Sequence, residues 1–342
     1  MKGVVYLGDS QVEVRDFATP AAGPGEVIVE MKVAGLCGSD LHKYHSSRQW
    51  AQDRDGMISG HEPVGVIAEL GPHVDGLAVG DRVCVYHRTG CGLCPDCRSG
   101  NAAFCDDVRG AFGRTQDGSH ADFMRTDARY CMPLPDEISF VTATQLACTA
   151  GTSFSALRKI PNKGADVLVV FGLGPVGMAG LLLGIGMGFH GIGVDVHPYR
   201  VALGRSVVGD GLIIDASGED PAEAILDHTR GRGASGVLEC SGSAVARRQA
   251  ATVAGRGATA VYVGGGTPDI QVDMGDVLQK DLTLRGNSVF SMASYFEAVE
   301  FLRRTPVRLD DIVTHRFGID EAKEAFSVFD AGETGKVILE WS

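Results

Sequence analysis

Residues 166–196 read DVLVVFGLGPVGMAGLLLGIGMGFHGIGVDV. With His190 neutral, nothing between Asp166 and Asp195 carries a charge, so a membrane-spanning helix has to be weighed against a folded α/β unit. Glycines at 172, 174, 177, 184, 186 and 188 are dense for one helix. VLVV has the character of a buried strand, and HGIGVDV reads as a second one. Strand, glycine turn, apolar helix and strand explains the pattern better, because such a unit buries both strands and one helix face.

The neighbouring sequence extends this unit. GLIID (211–215), GVLECSG (236–242), AVYVGGG (260–266) and LTLRGN (282–287) are strand-like, with helical stretches such as DPAEAILDHTRG (220–231) between them. The alternation predicts a parallel, doubly wound α/β sheet. Residues before about 150 differ. EVIVEMKVAG (26–35), PVGVIAELG (63–71) and DRVCVY (81–86) are short β-branched runs punctuated by Gly-Pro and Gly-Asp pairs. After Asn287, two amphipathic helices and the strand GKVILEW (335–341) are expected to return to this first, β-rich domain. The expected division is 1–150 with 288–342, and 151–287 as the inserted sheet domain.

Gly172, Gly174 and Gly177 form G-x-G-x-x-G between a strand and a helix. The motif is weak alone and strong in that context. Gly172 permits the tight turn, Gly174 lets backbone approach a pyrophosphate, and Gly177 lets helix pack on strand. Asp195 closes the second strand, where a carboxylate accepts the adenosine ribose hydroxyls and repels a 2′-phosphate. NAD is therefore expected over NADP. Arg200, five residues on, has the reach for the ribose or for a phosphate.

The 342 residues carry a formal charge of −12 with no basic run, which argues against nucleic acid or an anionic membrane as partner. Nine cysteines behind an N-terminus without signal-peptide character suggest a reducing cytoplasm. CGLCPDCRSGNAAFC (91–105) then reads as a metal loop rather than a disulfide framework. Cys91, Cys94, Cys97 and Cys105 offer four thiolates suited to tetrahedral zinc. An iron–sulfur cluster is the competing reading, although its usual three-residue gap before Cys-Pro is missing. Four protein ligands close a site, so this one shapes a loop and the chemistry lies elsewhere. Three other segments hold metal-ligand residue types: GLCGSDLHKY (35–44), GHEPVG (60–65) and QLACTAGT (145–152).

C-G-S-D-x-H, G-H-E-x-x-G, the four-cysteine loop and the glycine motif occur in that order along the whole chain. The chain thereby resembles the zinc-containing medium-chain alcohol dehydrogenases. The resemblance implies a GroES-like β-rich catalytic domain beside a Rossmann domain, with two zinc ions and NAD as cofactors. It implies catalytic zinc on Cys37, His61 and Cys148, with Glu62 near the metal and Asp40 orienting the histidine. It also implies a proton relay through Ser39 to His42. Backbone at Pro175 and Val176, the nicotinamide neighbour Thr152 and pyrophosphate charge from Lys336 would hold the cofactor. Gly38 departs from the pattern, since some relatives carry a basic residue there. The expected activity is hydride transfer between a primary or secondary alcohol, polyols included, and NAD, in a homodimer or homotetramer. A threonine or polyol dehydrogenase is the nearest alternative, against which the absence of an acidic residue near Cys148 weighs. A non-catalytic NAD-binding scaffold would need neither relay nor open metal site.

Overall fold

A computed structural model describes residues 1–107, 110–161, 166–209, 211–266 and 272–341. The opening stretch forms the strand Val167–Phe171, the helix Pro175–Gly186 and the strand His190–Asp195. The strands pair in parallel, from Val167 opposite His190 to Phe171 opposite Val194. A parallel pair needs a crossover of this kind. Pro175 sits in the helix's first turn, where its locked φ suits the helix and its missing N–H costs nothing. The helix has 12 residues, too few to cross a bilayer. Among the described residues no helix is long and apolar enough to do so.

The sheet runs in the spatial order Leu212–Asp215, His190–Asp195, Val167–Phe171, Ala234–Glu239, Ala254–Tyr262, Thr283–Gly286. All five pairings are parallel. The winding direction reverses between Val167–Phe171 and Ala234–Glu239, and that switch point opens a crevice at the strands' carboxyl ends. Alternate residues of the first strand serve opposite faces. Leu168 and Val170 join one apolar cluster, Val169 and Phe171 another. A strand buried on both sides has no polar alternation to display, which is why its sequence is uniformly apolar.

The β-rich runs form a seven-stranded sheet. Glu26–Gly35, Pro63–Leu70, Arg82–Val85 and Cys131–Pro133 pair antiparallel in turn, and Phe123–Asp127 pairs with the first of them. The chain's last strand, Lys336–Glu340, adds antiparallel to the end of Glu26–Gly35, with Ile338 opposite Gly35. Val313–Phe317 then adds parallel beyond it. The tail thus returns to the first sheet. Helix Ala322–Asp330 covers this corner with Ala322, Ala325, Phe326 and Phe329, spaced three and four apart on one buried face.

The two sheets share a core. One cluster runs from Val27, Met31 and Val83 of the antiparallel sheet through Phe154 and Leu157 to Leu168 and Leu181. Phe154 and Leu157 belong to the helix Thr149–Leu157, which spans the junction between the lobes.

Candidate active site

Three elements converge at the junction. The strand Glu26–Gly35 delivers Cys37 to the N-cap of the short helix Gly38–Tyr44. His61 precedes the strand Pro63–Leu70, and Cys148 caps the helix Thr149–Leu157. The ligand atoms of Cys37, His61, Glu62 and Cys148 all lie within 4.8 Å of one another.

The spacing C-G-S-D has a local cause. Asp40 is the N3 residue of the helix, and its Oδ2 accepts the backbone N–H of Cys37 at 3.0 Å, one arm of a capping box. Its Oδ1 accepts from His61 Nδ1 at 3.0 Å and from the Tyr6 hydroxyl at 3.1 Å. One buried carboxylate therefore fixes two of the three candidate ligands. It also sets the imidazole tautomer, leaving Nε2 for the cluster. Burial works to raise the Asp40 pKa, but the charges of His61 and Lys43 hold it well below the usual carboxylate range.

The electrostatics favour a cation. Cys37 is drawn well below the usual thiol range, first by the hydrogen bond from Cys148, then by His61 against the cost of burial. Cys148 is correspondingly pushed up, by Cys37 and by burial. Burial depresses His61, yet Asp40 and Cys37 outweigh it and lift the ring to about 10. Two soft sulfurs and one nitrogen gathered without a disulfide suit zinc.

Ser39 is exposed at the rim, its Oγ 3.2 Å from His61 Nε2. His42 is exposed too, one helical turn further along the same face. Glu62 is fully buried, and its carboxylate meets the equally buried ammonium of Lys336. Its Nζ also donates to the Leu36 carbonyl at 2.8 Å.

The glycine turn behaves as its motif requires. Gly172 has φ +83°, and a Cβ on Gly177 would strike the Gly172 carbonyl. At Gly174 a Cβ would meet only Arg200 Nη1, 3.9 Å away, so the backbone lies open at the helix N-terminus. Asp195 is buried and accepts the backbone N–H groups of Leu173 at 2.6 Å and His197 at 2.8 Å, which anchors the turn. Among the described residues Arg200 Nε and His197 Nδ1 are buried without hydrogen-bond partners. An open backbone beside an unpartnered guanidinium N–H fits a dinucleotide. Pro175 and Val176 are half-buried on the first turn of the helix. Ser153 Oγ reaches the Val176 carbonyl at 2.6 Å, and Thr152 beside it is buried at the junction.

The four-cysteine loop is closed. Cys91, Cys94, Cys97 and Cys105 bring their sulfurs within 4.8 Å, and all nine cysteines are free. Backbone N–H groups of Leu93 and Cys94 point at Cys91 Sγ from 3.4 and 3.3 Å. These two donors draw that thiol down to about 6. Four sulfurs around one point suit a single tetrahedral ion.

Sequence patterns miss three contributors. Tyr6 steadies Asp40 from the first strand. Phe290 and His87 stand together at the cluster, His87 with its ring 5.5 Å from that of His61. His87 lies in YHRTG, four residues before the metal loop and outside every motif; only that proximity signals it.

The family model for the alcohol dehydrogenase GroES-like domain matches residues 23–136, and that for the zinc-binding dehydrogenase matches 175–304. The uncharacterized zinc-type alcohol dehydrogenase-like protein YphC of Escherichia coli is 34% identical, covering 98% of this chain and 97% of that protein. The chain belongs to the zinc-containing medium-chain alcohol dehydrogenase family. An L-threonine 3-dehydrogenase of Deinococcus deserti is 32% identical over 95% of the dehydrogenase described here and 94% of its own length. The alcohol dehydrogenase TADH from Thermus sp. ATN1 superposes with a TM-score of 0.89 at 26% identity, covering 99% of each chain. This dehydrogenase is accordingly a zinc-dependent oxidoreductase of small molecules that uses a nicotinamide dinucleotide.

Proposed function

We propose that this dehydrogenase oxidises a primary or secondary alcohol, polyols included, with NAD in preference to NADP. Cys37, His61 and Cys148 hold the catalytic zinc, and the four-cysteine loop holds a structural one. The reading rests on one observation: two sulfurs and an Asp40-oriented imidazole meet beside a helix whose Ser153 touches the glycine turn. Zinc held by these residues would supply Lewis acidity at a carbinol oxygen, and a nicotinamide dinucleotide would supply the hydride acceptor.

The chain's own residues supply the rest. Asp40 holds the His61 ring so that Nε2 faces the reacting group. Ser39 stands at that nitrogen and takes the substrate proton toward the rim, where His42 passes it to solvent. The buried Lys336–Glu62 pair keeps a carboxylate beside the cluster without net charge. Gly172, Gly174, Pro175, Val176 and Gly177 receive the pyrophosphate. Asp195 discriminates against a 2′-phosphate, and Arg200 closes over the turn. Residues 151–287 serve as the nucleotide domain, and 1–150 with 288–342 as the catalytic one. We place the enzyme in the cytoplasm as a homodimer or homotetramer.

Relatives named L-threonine 3-dehydrogenase support a second reading, with an amino alcohol as substrate. The test is NADH formation from alcohols, polyols and L-threonine, with and without chelator. Oxidation of one class, lost on zinc removal, is expected. Oxidation that survives complete zinc removal refutes the reading.

A further inference from the structure

The parallel sheet has a second opening, at the end away from the glycine turn. A cavity of about 1060 Å³ lies under the amino ends of the strands Val167–Phe171, His190–Asp195, Ala234–Glu239 and Ala254–Tyr262, and the first residue of each lines it. The first of these strands has five residues, so the cavity and the turn at Gly172 are roughly 15 Å apart. The sequence GRGA occurs twice on the cavity wall, at 231–234 and 255–258, once at the start of each of two paired strands.

Glycine makes the arrangement possible. A Cβ on Gly233 would strike the Val253 carbonyl, and one on Gly255 the Arg232 carbonyl, so the two loops lie backbone against backbone. Gly231 and Gly257 have φ of +75° and +71°, and a Cβ on either would meet nothing within 4 Å. Arg232 and Arg256, both exposed, are thereby carried to one wall with open space beside them. The chain has a net charge of −12, yet Asp166 is the one acidic residue among the described lining residues, and Ser235 already donates to it at 3.0 Å. His228 and Lys280 line the cavity too, but each stands in the last turn of a helix, where the carbonyl end favours a cation without any ligand. Lys280 also spends its ammonium on Asp276 and on the Thr252 carbonyl. The arginines are not accounted for in this way. Among the described residues Arg232 engages one carbonyl, that of Thr229, through Nε at 3.5 Å, and Arg256 has no side-chain hydrogen bond or ion pair.

We propose that this cavity binds a phosphorylated small molecule, its phosphoryl group held between the guanidinium groups of Arg232 and Arg256. A guanidinium fork matches an oxyanion with two parallel N–H donors. A phosphomonoester carries a charge of about −1.5 to −2 and three terminal oxygens, enough to engage both forks. A single carboxylate leaves one of them unmatched. The cavity is far larger than a phosphoryl group and has the size of a small-molecule site, so the organic part of the ester enters with it. The site is separate from the cofactor crevice, and the dehydrogenase reading stands without it.

The test is isothermal titration calorimetry of the full zinc-loaded chain at constant ionic strength, with saturating NADH present to fill the glycine turn. The probes are ribose 5-phosphate, AMP, inorganic phosphate and succinate. At least one of the two esters should bind more tightly than inorganic phosphate, and which one does so separates a sugar phosphate from a nucleotide. Arg232→Ala and Arg256→Ala should each weaken that ester by about tenfold to a hundredfold, the range for hydrogen bonds to a charged group. Arg256→Lys keeps the charge and loses the fork, so it should bind with intermediate affinity, and it serves as the readout should alanine disturb the fold. No binding of either ester at millimolar concentration overturns the proposal. So does ester binding that survives Arg232→Ala/Arg256→Ala, or that appears only when NADH is left out, since the ester then sits elsewhere. Succinate binding as tightly as the better ester, or inorganic phosphate doing so, overturns the assignment to a phosphorylated small molecule.

Discussion

Lys336→Met tests the least expected feature of the site. Both Lys336 and Glu62 are at 0% exposure, and their charged groups form an ion pair. Gly35 packs over the pair so closely that a Cβ there would strike both charged groups. Methionine keeps the apolar stem and removes the charge. Glu62 then loses its ion-pair partner, a loss worth about 3–5 kcal/mol, and the Leu36 carbonyl loses its donor as well. For a lobe of this size the melting temperature should fall by roughly 6–20 °C. Differential scanning calorimetry of the zinc-loaded protein reads that change directly. The decisive arm is the double variant Glu62→Gln/Lys336→Met. With the charge gone from both sides, it should be less destabilised than Lys336→Met alone by about 2 kcal/mol. A Lys336→Met protein that melts with the wild type, or a double variant whose losses simply add, refutes the assignment of a buried pair.

Asp40→Asn should weaken zinc at the catalytic site by about tenfold to a hundredfold, measured by chelator competition, because Asp40 holds both Cys37 and His61; unchanged affinity would count against it. Cys105→Ser should remove one of two zinc ions per chain and lower the melting temperature while the other ion stays, as metal analysis will show. Asp195→Gly should raise use of NADP relative to NAD, read from the ratio of kcat/KM values. His120 provides a pH test, because burial pushes its folded pKa down to about 4. Above the unfolded value of about 6.5 both states are neutral and its contribution is fully present; as pH falls toward 4 the unfolded chain binds the proton first, and stability drops by up to about 1.4 kcal/mol per pH unit. His120→Asn should flatten the unfolding free energy over that window, and an unchanged slope would refute the depressed pKa.

What could be read before the fold was known follows a physical division. The glycine turn was legible because backbone geometry constrains residue type: φ +83° at Gly172 and the close approach at Gly177 exclude side chains wherever the motif folds. C-G-S-D was legible because Asp40 caps the helix that presents Cys37, so ligand and support lie within one turn. The Lys336–Glu62 pair was not legible, because its partners are 274 positions apart in sequence. Nothing local distinguishes a lysine bound for a cofactor from one bound for a buried carboxylate. His87 was invisible for a related reason. Its place beside the site arises where Phe290, Ala147 and His61 meet, and no spacing records that meeting.

The same reasoning shows where the two lobes are held in register. The helix Thr149–Leu157 carries Cys148 at its N-cap and, one turn on, Ser153, whose hydroxyl reaches the Val176 carbonyl of the glycine turn. Metal ligand and cofactor turn are thus linked by one rigid element, which crosses the expected 150/151 boundary. The returning chain does the same. Asn287 donates to the Thr152 carbonyl at 3.2 Å, and Phe290 packs on His87. Any rotation of one lobe against the other must carry Cys148 and Phe290 with it or break these contacts. The placement of Cys148 relative to the glycine turn is therefore set by the two junctions themselves. Substitutions there should change turnover more than cofactor affinity, because they alter alignment while leaving the glycine turn intact.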